Sequence, residues 1–301
     1  MNKKKLIVIG GGAAGFFCAI NAAALNHELE IIIIEKTTKL LSKVKVSGGG
    51  RCNVTHSCFS IAQMIKNYPR GENFVKKAFH QFFTSDTINW FGKRGVQLKT
   101  EPDGRMFPVT NSSQTIIDCL MKEINKYGIK ILMNREAKQL AISNEQLIIT
   151  LANDEKMVAD HVCVASGGYA KSAQFAWLKE LGHTIEEPIP SLFTFNIPAD
   201  PIKELMGISV EKVIVKIIPI TIGSKFYQQG PLLITHWGLS GPAVLKLSAF
   251  AARELHKANY DFTISVNWLP GYNEQTLKEK FISLRKELAD RKSTRLNSSH
   301  W

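Results

Sequence analysis

Long apolar runs are missing from this sequence. Residues 6–9 and 31–34 are typical of the runs it has, far short of the roughly 20 residues that a membrane helix needs. Met1-Asn2-Lys3-Lys4-Lys5 leads straight into the first run with no signal-type apolar region between, so a soluble, cytoplasmic protein with no membrane partner is expected. Cysteine is sparse and scattered. Cys18, Cys52, Cys58, Cys119 and Cys163 are odd in number and form no CxxC pair, which argues against a disulfide framework and against a metal site. Cys52 and Cys58 lie in a predicted loop with no flanking signature and are not read as a redox couple. A dense basic block is absent as well. The formal charge is +12, but the lysines and arginines are spread along the chain without the aromatic-basic alternation of an RNA-binding module. No specific nucleic-acid partner is therefore expected; general surface charge and attraction for an anionic cofactor account for the excess.

What is present begins at the amino end. The chain has 301 residues, 45% of them apolar, enough for one large or two ordinary domains. Residues 6–9 are apolar and rich in β-branched side chains, as suits a strand buried on both faces of a parallel sheet. Gly10-Gly11-Gly12-Ala13-Ala14-Gly15 follows at once, with Gly10, Gly12 and Gly15 at GxGxxG spacing. That spacing permits a tight turn, close approach of backbone to a pyrophosphate, and close helix-on-strand packing. Residues 16–25 are alanine-rich and free of proline, and should continue as a helix whose first N–H groups face phosphates. A second strand, residues 30–34, ends at Glu35, about 20 residues beyond the last glycine, where a carboxylate accepts ribose hydroxyls. The same charge repels a 2′-phosphate, favouring FAD or NAD over NADP.

Farther on, Ser47-Gly48-Gly49-Gly50-Arg51-Cys52-Asn53 offers backbone N–H groups beside a basic side chain. Residues 74–92 read as one amphipathic helix with Phe74, Ala78, Phe82 and Phe83 on its core side. Residues 99–108 form a turn and a short extended piece, residues 112–127 a helix, and residues 129–159 a series of short strands ending in a meander. Residues 161–165 form a buried strand closed by Ser166-Gly167-Gly168, which places backbone at the carboxyl edge of the sheet. From residue 188 the composition shifts. Strands are expected at residues 193–197, 210–219, 226–229 and 262–268, in an antiparallel barrel or sheet, and a helix at residues 243–255. Gly238-Leu239-Ser240-Gly241-Pro242 departs from GxSxG at its last position, so a serine hydrolase is not expected. His236 is the single histidine inside a recognisable motif and is the candidate for proton exchange.

The glycine turn, Glu35 and above all Ser47 to Asn53 resemble the bacterial FAD-dependent oxidoreductases known as HI0933-like flavoproteins, the aminoacetone oxidase family, or BaiN-type bile-acid 3-dehydro-Δ4,6-reductases. The resemblance implies FAD contacts from Gly10, Gly12, Ala13, Ala14 and Gly15, and from Glu35, Lys36 and Lys43. It also implies contacts from Gly49, Gly50, Arg51, Cys52 and Asn53, and from Ser166, Gly167 and Gly168 in a second motif where Ser166 replaces a threonine. Leu41 and Ser42 stand where the family more usually has a glycine and a basic residue. Arg105 and Phe107 match a Gly-Arg-x-Phe-Pro segment near the flavin, and residues 234–243 match an FTHxGLSGPA element with Ile234 in place of phenylalanine. The fold implied is α/β: a Rossmann-like FAD-binding domain at residues 1–190, a β-rich, barrel-like substrate-side domain at 191–269, and the start of a helical domain at 270–289. Residues 290–300 resemble the translation of a sequencing adapter, and residues 290–301 are read as a non-native tail, with a further C-terminal part of the family expected beyond. The activity implied is hydride or electron transfer between a small-molecule substrate, or NADH or NADPH as a transient donor, and a second acceptor. A flavin-dependent RNA-modifying enzyme and an FAD-binding protein without turnover remain as alternatives.

Overall fold

The computed structural model describes residues 3–218 and 226–297. The chain divides into two compact units, Met1–Pro188 and Ile189–Trp301.

In the first unit, β1 (Lys5–Ile9) is followed by α1 (Ala13–Leu25), β2 (Glu30–Glu35) and α2 (Ser42–Gly50). After β3 (Thr55–His56) come three helices, α3 (Ile61–Met64), α4 (Glu72–Phe79) and α5 (Thr84–Gly92). The hairpin β4 (Leu98–Thr100) and β5 (Arg105–Pro108) leads to α6 (Ser113–Lys126) and β6 (Lys130–Met133). The meander β7 (Ala137–Ser143), β8 (Gln146–Leu151) and β9 (Lys156–Ala159) returns the chain to β10 (His161–Val164), with α7 (Ala176–Lys179) beyond it. The central sheet is parallel in the order β10-β1-β2-β6. Both faces are covered, which is why its strands read as unbroken apolar runs. Leu6, Val8, Ile31 and Ile33 pack under Phe16, Ile20, Ile116 and Leu120 on one side. Ile7, Ile9, Ile32 and Ile34 pack against Leu140, Ile149, Leu151 and Trp177 on the other. Each isoleucine so buried contributes about 1.5–3 kcal/mol.

The helix α1 lies as close to β1 as backbone permits. A Cβ on Gly15 would stand 1.9 Å from the Gly10 carbonyl oxygen, and one on Gly10, at φ +119, would stand 2.4 Å from the Ala165 carbonyl oxygen. Beneath the helix, Cys18 meets Cys163; burial first, then the hydrogen bond and charge of Cys163, push the Cys18 thiol from 9.0 up to about 12.

The single helix expected over residues 74–92 is two. Asp86 Oδ2 accepts the Phe83 N–H at 2.8 Å, so Asp86 caps a new helix from its third position. Phe74 is 79% exposed and is not core. The α5 end is tied down by a buried pair, Arg94 Nε to Glu123 Oε2 at 3.0 Å, with the guanidinium 3.7 Å over the Trp90 ring.

The second unit contains β11 (Phe195–Asn196), β12 (Ser209–Ile217), β13 (Tyr227–Thr235), β14 (Gly238–Ser240) and β15 (Ile264–Asn267). Its helices are α8 (Pro242–Phe250), α9 (Ala252–Lys257) and α10 (Glu274–Asn297). Of the barrel and the sheet left open by the sequence, the described residues form a sheet, antiparallel in the order β11-β14-β13-β12-β15. Every second residue, Val213, Val215 and Ile217 on β12 and Leu232 and Ile234 on β13, is buried against Val244, Leu247 and Leu255. The helix expected over 243–255 breaks at Ala251, which takes φ −91 and ψ 7. Residue 219, at the end of one expected strand, and residues 298–301 of the expected tail lie outside the described residues. The backbone of α10 runs on past residue 289, where the polar tail was expected to end it. An i,i+4 pair of the favourable order, Glu274 to Lys278 at 2.7 Å, supports its start.

Substituting Gly15→Ala is expected to destabilise the first unit by about 3 kcal/mol or more, since the new methyl meets backbone that cannot yield. Gly12→Ala, with nothing within 4 Å of the new Cβ, is expected to leave the denaturant midpoint almost unchanged, and comparing the two midpoints checks the claim.

Candidate functional site

The carboxyl ends of β1, β2 and β10 meet at one edge of the parallel sheet. The turn after β1 is pinned on three sides: the Gly10 N–H donates to the Ile34 carbonyl at 2.8 Å, the Leu41 N–H donates to the Gly11 carbonyl at 2.9 Å, and the Gly11 N–H donates to Glu35 Oε2 at 2.8 Å. The other carboxylate oxygen, Oε1, accepts the Thr37 N–H and the Thr37 hydroxyl, both at 2.9 Å. Glu35 is thus a brace for the glycine turn as well as a candidate acceptor for a ribose, and Thr37, which the sequence reading passed over, holds it in place.

A cavity of about 380 Å³ opens over this turn, lined by Gly10, Gly11, Gly12, Ala13 and Ala14, by Glu35, Lys36, Thr37 and Lys39, by Leu41, Ser42, Lys43 and Val44, and by Ala165, Ser166, Gly167, Gly168 and Tyr169. The strand-to-loop step after β10 supplies Ser166, Gly167 and Gly168; a Cβ on Gly167 would lie 3.8 Å from Lys43 Nζ. Lys36 Nζ sits 5.6 Å from the centre of the Tyr169 ring. Three lysines against one carboxylate, with an α1 N-terminus that has neither a side-chain cap nor an acidic residue in its first turn, favour an anion at this edge.

A second hollow of about 480 Å³ shares Ala13, Ala14, Lys43 and Val44 with the first. Its wall is mostly apolar, with Phe17, Val54, Phe82, Phe91, Ile116 and Leu120, and includes Ser47, Cys52 and Asn53. Burial raises the Cys52 thiol above its ordinary value, against a lowering hydrogen bond from Ser47, so the thiol stays protonated at neutral pH. Gly15 lies under the turn as packing and lines neither cavity. Gly49, Gly50 and Arg51 also line neither. The Arg51 guanidinium pairs with Glu101 at 3.1 Å and stacks 4.0 Å over the Phe107 ring. Arg105 is paired with Asp103 at 2.7 Å, and Phe107 is fully buried beneath the Ser47–Asn53 loop.

His236 belongs to the second unit, on the turn between β13 and β14. Thr235 Oγ1 accepts the Gly238 N–H at 3.2 Å and donates to the Gly238 carbonyl at 3.0 Å, fixing the turn. The imidazole is exposed, edge-on to Trp237 at 4.4 Å, and has no hydrogen bond among the described residues. Among the described residues no three metal-ligating side chains cluster, and no helix is long and apolar enough to cross a membrane.

The family description "HI0933-like protein Rossmann domain" matches residues 4–249. A 3-dehydro-bile acid delta(4,6)-reductase of Clostridium scindens is 24% identical over 274 residues, covering 89% of this chain and 65% of the relative. A ribosomal RNA dihydrouridine synthase of Haemophilus influenzae is 31% identical over 259 residues, covering 81% of this chain and 61% of the relative. The chain therefore spans less than two thirds of the length of these curated relatives. Among solved structures, the open conformation of a flavocytochrome c3 fumarate reductase superposes with a TM-score of 0.51 at 17% identity, over 69% of this chain and 47% of that one. It shows that the two chains share a fold.

Replacing Glu35→Gln puts an NH₂ group where one set of donors needs an acceptor. The expected result is a loss of about 1–2 kcal/mol of stability and faster amide exchange at Gly11 or Thr37, read by hydrogen-exchange mass spectrometry.

Proposed function

The chain belongs to the HI0933-like family of FAD-binding oxidoreductases, and on that premise we propose that it passes hydride or electrons between a small-molecule substrate, or a nicotinamide donor, and a second acceptor through a non-covalent flavin. The observation that carries this reading is the paired cavity at the sheet edge: a cationic half of about 380 Å³ continuous in its lining with an apolar half of about 480 Å³. The residues fit FAD. Nothing lies within 4 Å of a Cβ placed on Gly12, so a phosphate has room against the α1 N-terminus. Lys43, shared by both halves, supplies charge where a pyrophosphate would turn. Glu35 retains acceptor capacity on both oxygens for ribose hydroxyls. Phe17, Val44 and Val54 give a flat ring a dry wall.

When bound, FAD supplies the two-electron chemistry; the protein holds, orients and excludes water. We assign proton exchange to His236, whose exposed ring has no hydrogen bond among the described residues and sits on a turn that Thr235 fixes. Among the residues of this chain there is no second GxGxxG, so NADH or NADPH would act as a transient visitor. An unsaturated carbonyl or similarly electron-poor double bond is the substrate class that the bile-acid relative suggests. The 31% identity to a protein named for ribosomal RNA, with the chain's net charge of +12, favours one second reading, reduction of a pyrimidine in RNA.

The intact gene product, purified, is expected to be yellow and to release FAD on denaturation; a colourless, folded protein that takes up no added FAD would sink the proposal. For the second reading, RNA affinity should fall steeply with salt, measured by filter binding between low and moderate ionic strength. Weak binding that ignores salt removes it.

A further inference from the structure

The loop from Ser47 to Asn53 adopts a backbone that its own sequence only partly explains. Gly48, Gly49 and Gly50 take φ of 57°, 68° and 82°, and Cys52, which is no glycine, takes 61°. A left-handed cysteine persists only where its surroundings over-determine it. Those surroundings come from the β4–β5 hairpin, about fifty residues along. The Val54 N–H donates to the Met106 carbonyl at 2.9 Å, and Thr55 pairs with Met106 in register. The fully buried Phe107 ring lies under Gly48, where a Cβ would stand 2.7 Å from Phe107 Cε1. The same ring carries the Arg51 guanidinium, 4.0 Å from its centre. Glu101 completes the clamp: Oε1 accepts from Arg51 Nη1 at 3.1 Å, while its own backbone is fixed across the hairpin turn by the Glu101 N–H donating to the Arg105 carbonyl at 2.8 Å. Both ends of the loop are therefore tied to one hairpin, by an aromatic ring and by a charge pair.

We propose that Glu101 and Phe107 are positioning residues of the flavin site. They hold Arg51, and through it the loop whose Ser47, Cys52 and Asn53 wall the apolar hollow. Neither residue lines that hollow, so both act through the loop. The inference rests on the reading of the hollow as the flavin site. Arg51 is planar and stacked as well as charged, so lysine cannot replace it.

The test is a double-mutant cycle on the intact protein, with Arg51→Met, Glu101→Gln and the pair, alongside Glu101→Asp and Phe107→Leu. FAD dissociation constants and the fine structure of the visible flavin band are recorded for each. Arg51→Met and Glu101→Gln are each expected to weaken FAD by about tenfold and blur the band, and the double variant to be no more than about threefold worse than either, because the two act as one unit. Glu101→Asp should recover much of the affinity, and Phe107→Leu should behave like the charge variants. Single effects that multiply in the double variant, or a Glu101→Gln protein with wild-type affinity and band shape, would overturn the clamp. A wild-type protein that takes up no FAD would instead overturn the flavin reading, and this inference with it.

Discussion

The contact between the Gly15 backbone and the Gly10 carbonyl is the constraint on which the first unit depends. With no methyl group at either position, α1 descends onto β1 until only backbone separates them. That approach aims the N-terminus of α1 over the carboxyl edge of the sheet and lets Ala165, after β10, close over Gly10. Every other feature of the cavity follows. The Gly11 N–H can reach Glu35 because the turn is tight, and Lys43 can stand beside Gly167 because the two loops are drawn together.

The same edge separates two kinds of environment. On the side of the glycine turn, lysines and helix N–H groups gather around a single carboxylate that is already engaged by Gly11 and Thr37. On the other side, Phe17, Val44, Cys52 and Val54 make a dry wall in which a thiol has no reason to ionise. A long ligand with an anionic middle and a flat apolar end suits that division of charge, and a compact polar ligand does not.

The parts of this arrangement that could be read from the sequence were local or periodic. Strand, glycine turn, helix, strand and Glu35 follow one another within 35 residues, and each has its own signal. Ser166-Gly167-Gly168 was legible because an apolar run stops abruptly there. The strand-like runs at residues 210–219 and 226–229, with glycine and proline between runs, announced a sheet or a barrel without deciding between them, and the extension of β13 to Thr235 was not read. What the sequence concealed was pairing at a distance. Nothing near Arg51 points to Glu101, and nothing near Phe107 says that its ring supports Gly48. The break between α4 and α5 was hidden for a different reason: Phe79, Phe82 and Phe83 keep helical spacing across it, and the apolar pattern drowned the weaker capping signal of Asp86.

The β1 strand also carries a lesson about the order of assembly. Its two neighbours arrive at very different times: β2 begins at Glu30, but β10 only at His161, and the Lys5 N–H donates to a carboxylate 155 residues away, on Asp160. Half of the sheet can form early from local chain, while the other half waits for a long loop to close. Pairings of such separation are slow, because chain entropy is lost before any contact rewards it. During synthesis, β1 would therefore stand with one edge open until the meander had been made. An open strand edge is a template for pairing with another chain, and here it stays open until Asp160 and β10 have been made.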